Sequence, residues 1–370
     1  MARHHVERGR AERGRANRIR AARNEGGRRR LDSSVPDEYD VPTRVPRIAS
    51  PELAYTVMSA IAAVWLVATV GAATSVVAVD VPRWVARPCA AVLMVVFAVA
   101  LAHRVGGHMR LWVPPVIVLA LAAAASGSQA LLASSATVTA VVSAVWAVVV
   151  TRPAATVIQA LWEYGIALLA ALSGTVAVAA WNVEVNYQRF SLVVIATALG
   201  VAVALVWSLG AGLHGLGRQN FMILIGIVVL LLILLAYSSF VRTHGSQSLV
   251  NWFTDLVVWS RETFRGVPRP VEVFLGFPAL IVGVSMRSKR REGWWVLVFA
   301  VVGTAVLTTS LVTPGAFPTY ISLSTLYSIV LGGLLGLLIR SQVIQESSSR
   351  RARQFEEEHR VEPGRFAPLR

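Results

Sequence analysis

Long apolar runs dominate the chain, and its charges are withdrawn from them. Of 35 basic residues, 13 precede position 53 and 7 lie from Arg340 onward; the other 15 fall in short gaps between runs, so that none needs to sit deep in one. An arginine at the centre of a bilayer costs at least ~2.5 kcal/mol, so a membrane protein keeps its charges at the ends of its spans. A soluble domain instead devotes roughly a quarter of its residues to charge, and this chain has 15%. The segregation predicts an all-α fold, a polytopic membrane helix bundle.

A span takes about 20 apolar residues. Runs that meet this need lie near 53–79, 88–103, 111–126, 129–150, 155–181, 190–210, 220–241, 269–286, 294–312 and 320–340, which predicts about 10 transmembrane helices. The third carries Pro114 and Pro115, which leaves it open to a kink, a tilt or a re-entrant course. Trp84, Trp112, Trp181, Trp294, Trp295 and Tyr320 fall near span ends, where amphipathic rings favour the headgroup layer. Small residues four apart, at Ala68/Ala72, Ala120/Ala124, Ala167/Ala171, Gly200/Ala204 and Gly332/Gly336, suit close helix contacts. An alanine-rich composition also produces such pairs by chance. Ile223 to Leu235 is almost all large aliphatics, as befits a helix facing lipid.

Loop for loop, basic residues divide 8 to 7 between the two sides. The two tails and the cluster Arg287, Lys289, Arg290 and Arg291 tip the orientation to both ends cytoplasmic, in the plasma membrane. Residues 1–52 read as a disordered Arg-rich cytoplasmic arm, in which Glu7-Arg8-Gly9-Arg10-Ala11 repeats at once as Glu12-Arg13-Gly14-Arg15-Ala16. Eleven Arg against three Glu through position 30 suit anionic phospholipids of the inner leaflet. Nucleic acid fits less well, since no aromatic residue precedes Tyr39 on which bases could stack. The transmembrane body covers 53–341 and a cytoplasmic C-terminal tail covers 342–370; both tails could recruit protein partners.

The longest loop holds the sharpest pattern. On a helical wheel, Leu249, Val250, Trp252, Phe253, Leu256, Val257, Trp259 and Phe264 take one half, and Asn251, Thr254, Asp255, Arg261, Glu262 and Arg265 the other; only Val258 breaks the division. This predicts an interfacial amphipathic helix over 246–265, closed by Gly266 and Pro268, lying flat at the outer leaflet.

Candidate chemistry is sparse. Glu163 reads as the carboxylate inside a span, with Gln159 one turn before it. Together they are an ion-coupling candidate, because intramembrane acids are usually functional. The competing reading starts the fifth span at Gly165 and leaves Glu163 at the interface. Asn182, Glu184, Asn186 and Gln188 alternate with Val183, Val185 and Tyr187, and so share a face at an outer mouth. They would offer oxygens to a cation or a sugar, or simply solvate a loop. Arg261, Arg265 and Arg269 are outer anion-binding candidates. Gly210 to Gly215 spells the dinucleotide pattern, but between two apolar spans it lacks the strand that the mechanism needs. A lone Cys89 excludes an intrachain disulfide and a multi-cysteine metal site. No P-loop, metal motif or catalytic serine motif appears, and the sequence implies no cofactor. Three functions remain: a permease-like transporter of a small or lipid-linked substrate, an envelope enzyme on a lipid-linked substrate at the outer leaflet, and a non-catalytic scaffold.

Overall fold

The computed structural model describes residues 51–77, 83–209, 265–288, 293–312, 318–346 and 363–369, together with isolated residues at 222, 251, 252, 255, 258, 259, 262 and 263. The protein is all-helical, with no strand among the described residues. In chain order the helices are α1 (Pro51–Val77), α2 (Arg83–Val105), α3 (Met109–Ser126), α4 (Gln129–Val149), α5 (Val157–Ala180), α6 (Tyr187–Ser208), α7 (Phe277–Arg287), α8 (Gly293–Thr309) and α9 (Pro318–Glu346). A π-helical turn, Glu272–Gly276, leads into α7. Residues 59–370 form one compact unit, and those up to Met58 belong to another; the packing below is within the former.

Among the described residues, eight helices are long and apolar enough to cross a bilayer: α1 to α6, α8 and α9. They support a multi-pass membrane protein. The span predicted at 220–241 lies outside the described residues, Met222 apart, as do the run Ile223–Leu235 and the glycine-rich segment 210–215. The one predicted at 269–286 is a helix interrupted by the π turn. The third span is a continuous helix despite Pro114 and Pro115, with 18 residues.

The buried centre is made by α4, α5 and α8, where Ala140, Ala144, Ala167, Ala171, Ala300 and Ala305 are all essentially inaccessible. Small side chains bring backbones close, and hydroxyls then reach carbonyls on neighbouring helices. Thr304 Oγ1 donates to Ala144 O (3.0 Å), Thr175 Oγ1 to Leu307 O (3.1 Å) and Trp181 Nε1 to Thr139 Oγ1 (3.0 Å). The small pairs divide accordingly. Ala68/Ala72 and Ala167/Ala171 are buried. Gly332 packs on Phe277 and Gly336 on Pro278 and Ile281, whereas Gly200 and Ala204 are exposed with nothing near Gly200. At the π turn, Gly276 meets Gly303 of α8 backbone to backbone, leaving no room for a Cβ on either.

The tryptophans depart from the expected ring of interfacial side chains. Trp84 and Trp112 are exposed, but Trp181, Trp294 and Trp295 are buried. Position near a span end does not fix which way a ring points; here Thr139 draws Trp181 inward, and the Arg287 guanidinium stacks over Trp294 at 4.0 Å.

Candidate functional site

One end of the bundle is built around arginines. The loop Thr151–Ala155 between α4 and α5 supplies the acceptors. Arg287, at the end of α7, donates to Thr151 Oγ1 (3.1 Å) and Thr151 O (2.9 Å). Arg340 of α9 donates to Ser285 Oγ (2.9 Å) and Ala155 O (3.0 Å). The loop is tied to α7 by Ala154 N–H to Val284 O, 3.0 Å. Glu163 and Gln159 sit at this same end. Gln159 completes a capping box with Thr156 that starts α5. Glu163 is buried; it accepts the Arg152 N–H (2.9 Å) and a two-point contact from Arg365 (2.7 and 2.9 Å).

A second buried carboxylate, which the sequence reading passed over, lies further along. Helical backbone begins at Pro270, after Arg269, whose carbonyl accepts the N–H groups of Glu272 (3.1 Å) and Val273 (3.0 Å). Proline suits the first helical position, and an acid in the first turn suits the dipole. This start is not at the end of the bundle. Arg269 N–H donates to Ser328 Oγ (2.8 Å) and Ser324 Oγ donates to Val267 O. Gly266 lies so close to α9 that a Cβ there would stand 2.8 Å from Ser324 N. Residues 266–269 therefore run without helix beside α9, with Val267 O and Arg269 N–H bonded to two serines one turn apart. Ser328 is ~15 Å along α9 from Pro318 and ~27 Å from Glu346. The helix that bears Glu272 thus starts part-way along α9, and the segment before it carries Arg269 inward.

Glu272 has 0% exposure. Its Oε1 pairs with Arg269 NH1 at 2.7 Å, and the Ser328 hydroxyl faces the same carboxylate. Oε2 is buried with no hydrogen bond in bonding geometry. Around it converge α5, α7 and α9. Tyr164 donates to Ile329 O (2.9 Å) and meets Phe277 edge-on at 5.9 Å. Gly332 packs against Glu272 O. The π turn shifts the phase of the helix between Glu272 and Phe277, and such turns recur at functional sites.

The remaining candidates are not brought together with this pair. Asn182, Glu184, Asn186 and Gln188 are exposed while Val183 and Val185 pack on the core, and Asn186 caps α6 through Arg189 N–H at 3.2 Å. Of the three arginines, Arg269 is held by Glu272, Arg265 is exposed with φ of 53°, and Arg261 lies outside the described residues. Among the described residues no three His, Cys, Asp or Glu gather as metal ligands. An open groove lined by Val149, Leu205, Trp294 and Val301, among others, is apolar.

No family model, curated protein or solved structure matches the chain. The chemistry therefore has to be read from the charge pair itself. A buried carboxylate with an arginine and a hydroxyl beside it is a group of the kind that can take up and pass on a proton.

Sequence signals for this site existed. Glu272 falls inside the run 269–286, and Ser324 and Ser328 are four apart on one face of α9. What hid them was the assumption that the run begins at a membrane surface.

Proposed function

We propose that the protein is a permease-like transporter of the plasma membrane, with the Arg269–Glu272 pair as its ion-coupling centre. The observation that carries this reading is the Arg269–Glu272 pair: a fully buried carboxylate held by one arginine and faced by the Ser328 hydroxyl, part-way along the bundle. Charges at such depth are costly, and membrane proteins keep them mainly where ions or protons pass. A helix that begins part-way across, with its N-terminus beside a polar cluster, is how many transporters build their binding sites. Glu163, the carboxylate singled out by sequence, is in this reading a support at the bundle end, since both of its oxygens are bonded.

The reading has ten spans, the eight described, the interrupted helix before α7 and the apolar run 220–241. The arginine end faces the cytoplasm, as a positive-inside bias requires. Residues 246–265 lie on the outer surface as an amphipathic helix; helical backbone and exposure at Trp252, Asp255, Trp259 and Glu262 support this. The arm 1–52 rests on anionic lipid.

Reconstitution in vesicles tests the proposal. Amino acids, sugars, nucleosides and organic phosphates are offered with and without an inward proton gradient. One class is expected to enter faster with the gradient, and Glu272→Gln is expected to keep solute exchange but lose that acceleration. An unchanged response in the variant, or no solute moved, would sink the reading.

A further inference from the structure

Residues 363–369 return to the bundle and lie across its arginine end. Their hold is mainly polar. Arg104 NH1 donates to Gly364 O (2.5 Å) and Ala367 O (2.6 Å), while the Arg104 carbonyl accepts the Leu369 N–H (2.8 Å). His103 Nε2 is 3.1 Å from Phe366 O. Arg365 NH1 donates to Glu163 Oε2 (2.9 Å) and Val150 O (3.1 Å), and NH2 donates to Glu163 Oε1 (2.7 Å). Apolar contact is slight: Pro363, Phe366 and Pro368 are exposed, and only Leu369 packs on the core.

Arg287 and Arg340 are carried by the helices α7 and α9. Arg365 sits instead on a short segment outside the helices, held mainly by polar contacts. Lifting it would expose a preformed set of acceptors, the two oxygens of Glu163 and the carbonyl of Val150, held in place by Arg152 N–H and by the start of α5. Two carboxylate oxygens against two nitrogens of one guanidinium is a geometry that ammonium or an alkali cation cannot copy.

We propose that the pocket at Glu163 is a guanidinium-binding site, occupied in cis by Arg365 and opened when residues 363–369 detach. Its ligand is a guanidino group, either on a small molecule or on an arginine of a peptide. The site shares no residue with the Arg269–Glu272 pair and does not depend on the transport reading.

The full chain in lipid nanodiscs tests this. Hydrogen exchange in segment 363–370 is followed with methylguanidinium or with tetramethylammonium at matched ionic strength. Methylguanidinium is expected to speed exchange by about tenfold over the control, as loss of a charge-assisted two-point contact implies. Equal effects of the two ions would overturn the proposal. In Arg365→Ala the emptied site is expected to bind methylguanidinium saturably, and Glu163→Gln added to that variant should abolish binding. Binding that survives the second change would also overturn it. If Arg365→Ala fails to fold, Arg365→Lys keeps the charge without the fork and should show the same gain. A heptapeptide of sequence Pro-Gly-Arg-Phe-Ala-Pro-Leu separates the two ligand sources. Tighter binding than methylguanidinium supports a peptide, and equal binding supports a small guanidino compound.

Discussion

Glu163 and Glu272 are both buried acids, each paired with an arginine, yet their surroundings differ. Glu163 has both oxygens bonded to Arg365 and a backbone N–H besides, at an end of the bundle where Arg365 keeps 18% of its side chain exposed. Glu272 is bonded to Arg269 through Oε1 and faced by the Ser328 hydroxyl, part-way along α9. Burial alone does not distinguish a structural carboxylate from a functional one. The donors around each acid differ, and on the transport reading the lighter hold on Glu272 is what lets it change its charge.

Several substitutions would break or sharpen this contrast. The largest effect is expected for Arg269→Met, which leaves Glu272 buried without its counter-charge and should cost about 3–5 kcal/mol. Thermal unfolding in detergent would read it. Adding Glu272→Gln should restore most of the loss, and a double variant no better than Arg269→Met would mean that the pair is not what matters. Glu163→Gln should cost less, about 1–2 kcal/mol, since the Arg365 it abandons can turn to water. A loss equal to that of Arg269→Met would erase the distinction between the two acids. Ser328→Ala, which removes the hydroxyl that accepts Arg269 N–H, is expected to cost about 1 kcal/mol and to slow proton-coupled transport. The smallest change is expected for Thr304→Val, which removes one hydroxyl contact between helices, worth about 0.6 kcal/mol in membranes, and leaves transport intact.

The break before α7 explains why one acid was legible and the other was not. Glu163 drew attention because it lies early in an apolar run that starts at a loop. Glu272 lies just as early in its own run, but there the start appeared to coincide with a membrane surface. Only the pairing of Ser324 with Val267 and Ser328 with Arg269 reveals that this run starts about a third of the way along its neighbour. The exposed row Asn182, Glu184 and Asn186 was readable from two-residue spacing, because alternation persists in extended backbone without tertiary help. The burial of Trp181 and Trp294 was not, because a ring near a span end turns inward only when a partner such as Thr139 or Arg287 waits there.

By itself the sequence determined the class and most of the helices. Apolar runs of bilayer length, with charge confined to their edges, leave no other economical way to satisfy the backbone than helices packed side by side. The tertiary structure alone decided depth and partnership. Which acid meets which arginine, whether a helix begins at the surface or beside Ser328, and where residues 363–369 come to rest depend on contacts between segments distant in sequence. Such contacts leave no periodic trace along the chain, because each is specified by the shape and unpaired polar groups of a neighbour.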